Sequence, residues 1–186
     1  MKTRRLGKTG YEVSEIGLGC WQLGGDFGPV EDDAAKAILD AANAAGINFW
    51  DTADVYGGGL SEQRIGAHGK GPGVKVATKL GRSSTLYPNK YTRDRVRESL
   101  VGSAQRLGVE ALDLAQLHCV PTEVLRDGEI FGWMDEFKAE GLVRHWGASV
   151  ETIEEGFICL DQPGCATLQI IFNLFRQDAA EKLLPL

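Results

Sequence analysis

Four ionisable side chains stand where three successive apolar runs give way to polar sequence. Asp51 and Tyr56 lie in DTADVYGGG, Lys79 sits near the end of VKVATKLG, and His118 closes LDLAQLH. A carboxylate, a phenol, an ammonium and an imidazole together make a site that can deliver a proton to a developing oxyanion. Carbonyl reduction is a reaction with that need. A buried lysine is costly unless paired, and Asp51 on the neighbouring run is its natural partner. A phenol beside Lys79 has its phenolate favoured, so the Tyr56 pKa is expected to fall from about 10. Each residue also has a plainer use: Asp51 in a turn, Tyr56 as a loop aromatic, Lys79 reaching solvent, His118 as a hydrogen-bonded core histidine. Their joint placement at the same end of neighbouring runs is what favours chemistry.

Those runs have to be strands. EIGLGCW, INFWDTAD, VKVATKL, LDLAQLH, VRHWGAS and TLQIIFN are short and almost continuously apolar, as strands covered on both faces must be. Between and after them lie helical patterns at 31–46, 61–69, 92–108, 128–141 and 152–160, and a last one begins near Asp178 and reaches Leu186. Gly46, Gly108 and Gly141 stand where helix C-caps belong. Val96, Leu100, Ala104 and Leu107 recur at helical spacing with Arg and Glu opposite. Strict alternation of this kind argues α/β with a parallel sheet, preceded by a small hairpin turning at residues 7–10.

Two architectures accept the alternation, a doubly wound sheet and a (β/α) barrel. The dinucleotide fingerprint G-x-G-x-x-G fails, because Gly17-Leu18-Gly19 lies inside the strand and Cys20-Trp21-Gln22 follows it. A (β/α)8 TIM barrel is the better fit, with polar residues at the C-terminal strand ends forming the site. Such a barrel takes eight units and the sequence supplies six, so it reads as one incomplete barrel domain over residues 1–186.

Composition agrees. Lys+Arg 20 against Asp+Glu 26 leaves a charge of −6, which disfavours nucleic acid, and no apolar stretch is long enough to span a bilayer. Cys20, Cys119, Cys159 and Cys165 show no CxxC pair, so neither a zinc site nor a disulfide framework is expected. Reduced thiols and a cytoplasmic location are the expectation. Glycine, 24 of 186 residues, is nearly twice as frequent as usual and marks many tight turns and helix ends.

The sequence resembles the aldo-keto reductases along essentially its whole length. The likeness runs from RRLGKTGYEVSEIGLGCWQLGG through INFWDTADVYGGGLSEQRIG, VATKLG, LDLAQLHCV and GLVRHWGAS to LQIIFNLFRQDAAEKLLP. The segment from Asp51 to Gly59 followed by Ser61-Glu62 is the most specific part. The resemblance implies NADP(H) bound across the mouth of the barrel and a small-molecule aldehyde or ketone as substrate, without a metal. It implies Tyr56 as general acid, Lys79 tuning it, Asp51 holding Lys79, and His118 orienting the carbonyl. It further implies Cys20 and Trp21 beside the nicotinamide, with Ser149 and Gln169 on its carboxamide; Val150 stands where the family usually has Asn. The family's seventh strand and the loop after its eighth supply a stacking aromatic and a grip on the 2′-phosphate, both beyond six units. Two other readings arise from the same likeness: a cofactor-binding regulatory subunit similar to potassium-channel β-subunits, or an inactive truncated chain. An open sheet of six strands has two unpaired edges, through which self-association is expected.

Overall fold

The computed structural model describes residues 1–185. Its first two strands, β1 (Thr3–Arg5) and β2 (Glu12–Ser14), pair antiparallel as a hairpin, with Arg4 opposite Val13. The hairpin is stitched to later segments of the chain by hydrogen bonds. Ser14 N–H donates to Asn48 Oδ1 at 2.6 Å, and Lys8 N–H donates to the Ala166 carbonyl at 2.8 Å. Both anchors lie at the N-terminal ends of later strands, so the hairpin covers the end of the sheet away from Asp51 and His118.

Six parallel strands come next: β3 (Leu18–Gly19), β4 (Phe49–Asp51), β5 (Lys75–Leu80), β6 (Leu112–His118), β7 (Val143–Val150) and β8 (Cys165–Ile170). Their order in the sheet is their order in the chain. That order is the signature of a sheet built by repeated β/α units rather than a doubly wound one, where it would reverse. The helices are α1 (Asp32–Ala44), α2 (Leu60–His68), α3 (Arg93–Leu107), α4 (Thr122–Asp127), α5 (Glu129–Ala139), α6 (Ile153–Leu160) and α7 (Asp178–Lys182). Gly46, Gly108 and Gly141 all take the positive φ that a left-handed helix end requires. Each expected strand is present, though β3 keeps only two residues of its apolar run. α4 is the helix that periodicity did not show. It is six residues long and enters through Pro121, too short to display a helical repeat. The last helix ends at Lys182, and Leu186, to which the sequence pattern extends it, lies outside the described residues.

The sheet curls. Between β4 and β8 lie four strand spacings, about 19 Å if the sheet were flat. Yet Gln169 Nε2 on β8 is 3.3 Å from Asp51 Oδ2 on β4. The arc therefore carries six of the eight units of a (β/α)8 barrel, its concave face lined by one set of alternate residues. The convex face holds the main core: Trp50 and Trp146 are fully buried, and Phe131 of α5 stacks on Trp146 at 5.8 Å. Truncating aromatics in such a core typically costs about 3–5 kcal/mol.

One buried ion pair bolts the second unit in place. Glu62 of α2 has no exposed surface; it accepts from Thr78 Oγ1 on β5 and from Arg106 Nε of α3, the latter at 2.7 Å. A buried carboxylate is tolerated because both oxygens have donors. Its consequence is positional: α2 begins one residue after the Tyr56–Gly59 turn, so whatever fixes α2 fixes that turn. Among the described residues, no helix is long and apolar enough to cross a membrane.

Candidate active site

Strand register brings the polar residues to one face. Asp51 pairs with Ala77, and Lys79 lies two residues further along β5; Lys79 pairs with Gln116, and His118 lies two further along β6. His118 then pairs with Ser149, and Ser149 with Gln169. Paired residues point to the same face and side chains alternate with a period of two, so all five project to the concave side. The strand ends that sequence spacing implied are thus assembled by backbone pairing alone.

Lys79 is the centre of the cluster. It is 2% exposed, and its ammonium donates to Asp51 Oδ1 at 2.5 Å, to the Thr52 carbonyl at 3.0 Å and to the Tyr56 hydroxyl at 3.2 Å. An ammonium has three hydrogens, and all three are used. Because Lys79 donates to the phenol oxygen, the hydroxyl's own hydrogen is left for another acceptor. Asp51 is shared between two residues: one oxygen takes Lys79 and the other takes Gln169.

Tyr56 stands on a short turn whose position is held from below. Ser61, at the start of α2, donates to the Cys20 carbonyl at 2.7 Å, and its hydroxyl lies 2.8 Å from that of Thr52. The phenol ring stacks on Trp21 at 5.5 Å with the planes 18° apart, and meets His118 edge-on at 6.0 Å. Trp21, Tyr56 and His118 wall one side of a cavity of about 490 Å³. Val55, Arg82, Cys119, Asp26 and Glu151 complete it. Asp51 and Gln169 line a separate cleft, also about 490 Å³, in the gap between β3 and β8.

The electrostatics correct one expectation. The Tyr56 pKa is raised, not lowered: burial dominates, and although Lys79 pulls the other way, Asp51 offsets part of its effect. A pairwise view saw the cation and missed the desolvation. The consequence suits a proton donor, since Tyr56 carries its proton at neutral pH. His118 moves down to about 4, chiefly through burial, with the charges of Lys79 and Arg82 adding to it. It is therefore neutral at pH 7 and has one N–H to give. Among the described residues its buried Nδ1 has no hydrogen-bond partner, so none of them selects the tautomer through that nitrogen.

This shift carries a stability prediction. A histidine whose folded pKa lies below its unfolded value of 6.5 binds fewer protons folded than unfolded, so stability falls as pH drops from 6.5 to about 4 and then levels. The upper bound is on the order of 3 kcal/mol. Asp54 acts oppositely: burial above all lifts it from 3.8 to about 6, so its ionisation costs stability as pH rises through that window. The clean comparison is urea unfolding of wild type against His118→Gln at pH 7 and pH 4.5. The wild type is expected to lose more stability on acidification than the variant; equal losses would refute the assignment.

Of the residues singled out from sequence, Asp51, Tyr56, Lys79 and His118 come together, with Trp21 against them. Gln169 joins through Asp51, and Ser149 stands between His118 and Gln169 in the register. Cys20 does not face the cavity. It is fully buried, its thiol directed at the Leu18 carbonyl, and burial pushes its pKa up to about 12. What it contributes is backbone: its N–H donates to the Asp51 carbonyl at 2.8 Å and its carbonyl accepts Ser61. Sequence reading missed Asp26, Arg82, Cys119 and Glu151. Three lie in loops without periodicity; Cys119 directly follows His118, and its φ of 45° marks a strained non-glycine position of the kind that gathers at sites.

Comparison with known proteins identifies the family and the fold. The model of the Aldo/keto reductase family matches residues 15–186. L-galactose dehydrogenase of Arabidopsis thaliana is 33% identical over 93% of this chain and 56% of its own length. The holo form of aldo-keto reductase AKR11C1 from Bacillus halodurans superposes with a TM-score of 0.84 at 29% identity, covering 97% of this chain and 61% of that one. An aldo-keto reductase from Klebsiella pneumoniae in complex with NADPH gives 0.78 at 27% identity, over 99% of this chain and 63% of that one. The chain spans about half the length of the curated relatives it matches.

Proposed function

Because the chain belongs to the aldo/keto reductase family, we propose that it carries the proton-transfer site of an NADP(H)-dependent reductase of aldehydes or ketones. The observation that carries the reading is the Lys79 ammonium, bonded at once to Asp51 and to the hydroxyl of a protonated Tyr56 that faces a cavity.

Tyr56 is the general acid. Its hydrogen, not used by Lys79, is available to a carbonyl oxygen bound in the cavity, and Lys79 stabilises the phenolate left after the transfer. Asp51 fixes Lys79 and offsets its charge. Neutral His118, edge-on to the phenol, donates its N–H to the same carbonyl oxygen and orients it. In alcohol oxidation the roles reverse, with Tyr56 as base. The fit to a nicotinamide rests on Ser149 and Gln169, adjacent in register on the concave face. Those two would hold its carboxamide. When bound, the reduced cofactor supplies the hydride. NADP(H) rather than NAD(H) is supported by the neighbours solved with NADPH and with NADP and acetate. Self-association through the β3 and β8 edges is supported by exposed Phe172, Leu174 and Phe175 just beyond β8.

The test is titration of the 186-residue chain with NADPH, following tryptophan emission, then addition of a carbonyl substrate. Trp21 lies at the cavity, so saturable quenching, stronger for NADPH than for NADH, followed by NADPH oxidation is the expected result. Absence of quenching would overturn the reading for this chain.

A further inference from the structure

The loop after β3 contains a residue that the proton-transfer scheme does not use. Asp26 is exposed, yet its Oδ2 accepts two hydrogen bonds, from the Trp21 indole Nε1–H at 2.8 Å and from the Gly57 backbone N–H at 3.0 Å. The two donors belong to different loops. Trp21 is five residues back in the same loop, whereas Gly57 directly follows Tyr56 in the turn after β4. Acceptance by a carboxylate is among the stronger hydrogen bonds, and here one oxygen serves both sides of a junction.

The junction is tight enough for that bridge to matter. A Cβ on Gly57 would lie 2.1 Å from the Gly24 carbonyl oxygen, and one on Gly24 would lie 2.6 Å from Gly57 N. The loops are thus pressed backbone to backbone, glycine against glycine. Trp21 itself is 47% exposed, a large ring with little core packing to hold it. Its orientation comes from Tyr56 beneath it, Phe27 meeting it edge-on at 4.7 Å, and the Asp26 acceptor. Of these, Asp26 alone constrains rotation of the indole about its own plane by a directional bond.

We propose that Asp26 is a positioning residue: its carboxylate ties Trp21 to the Tyr56 turn and so holds the indole parallel to the phenol as a fixed wall of the substrate cavity. The proposal rests on Tyr56 being the proton donor of that cavity. Loss of the tie frees Trp21 to leave the wall, which weakens substrate binding more than it slows the chemistry.

Two variants and two readouts test it. Asp26→Asn keeps an oxygen acceptor on the same stem, whereas Asp26→Ala removes it. The indole N–H of Trp21, assigned in a 15N spectrum by its disappearance in Trp21→Phe, is expected to exchange slowly in wild type and Asp26→Asn. In Asp26→Ala it should exchange about tenfold faster or more. With benzaldehyde and NADPH, Asp26→Ala should raise KM by about tenfold while kcat changes much less, and Asp26→Asn should restore most of the difference. Exchange equally fast in wild type and Asp26→Ala would overturn the proposal. So would lost protection with unchanged KM. Should wild type neither bind NADPH nor turn over benzaldehyde, the functional reading falls by itself, and indole exchange alone decides the role of Asp26.

Discussion

On the proposed function, Tyr56→Phe should lower kcat for carbonyl reduction by about 10²–10⁴-fold, the range that a positioned general acid supplies, while NADPH affinity should stay close to wild type. The substitution keeps the ring, and with it the stack on Trp21 and the edge contact with His118. It removes one oxygen, the one that accepts from Lys79 at 3.2 Å. Leaving a buried ammonium hydrogen without that partner costs about 1–3 kcal/mol, so a modest fall in the urea midpoint accompanies the kinetic effect. Steady-state rates and fluorescence titration on the same preparation separate the two. Wild-type turnover in this variant would remove Tyr56 from the role of acid. Equal loss of cofactor binding and turnover would instead show that the hydroxyl positions ligands rather than protons. Since Tyr56 is protonated up to high pH, the reduction rate should show no alkaline fall near neutrality from this group.

The parts legible in the sequence are those set by period and pairing. A sheet covered on both faces needs unbroken apolar runs, so β5 through β8 could be read directly, and with them the level at which Lys79 and His118 stand. The tetrad followed because strand ends are where such runs stop. β3 was legible only in outline: most of its apolar run becomes loop, and Cys20 just after it is fully buried in the core. α4 has no repeat to detect. The remaining omissions share a cause. Asp26 and Arg82 lie in glycine- and serine-rich loops, where residue type says nothing about direction, and only the folded junction brings Asp26 to Gly57. The sign of the Tyr56 shift was beyond sequence for another reason. It is a balance between a neighbouring charge and burial, and burial is a property of the assembled fold.

Lys79→Met should be the most damaging change to the site, because it removes a cation that three groups depend on. Methionine fills the lysine stem, so little volume is lost. What remains is Asp51, 21% exposed at its side chain, with Gln169 but no cation, together with an unpaired Thr52 carbonyl. Breaking a buried pair by deleting one partner typically costs about 3–5 kcal/mol; partial exposure of Asp51 places this case toward the lower end. For a chain of this size that corresponds to a fall of roughly 6–12 °C in Tm. Activity falls as well, since the Tyr56 phenolate loses its nearest positive charge and the acid becomes weaker. The two effects come apart in the double variant Lys79→Met/Asp51→Asn. Neutralising Asp51 removes the uncompensated carboxylate, so stability recovers by more than about half. Turnover does not recover, because nothing replaces the ammonium beside Tyr56. Calorimetry and initial rates on the single and double variants measure both. A double variant no more stable than Lys79→Met would mean that Asp51 does not need its cation. One that regained turnover would mean that Lys79 acts on Tyr56 only by balancing Asp51.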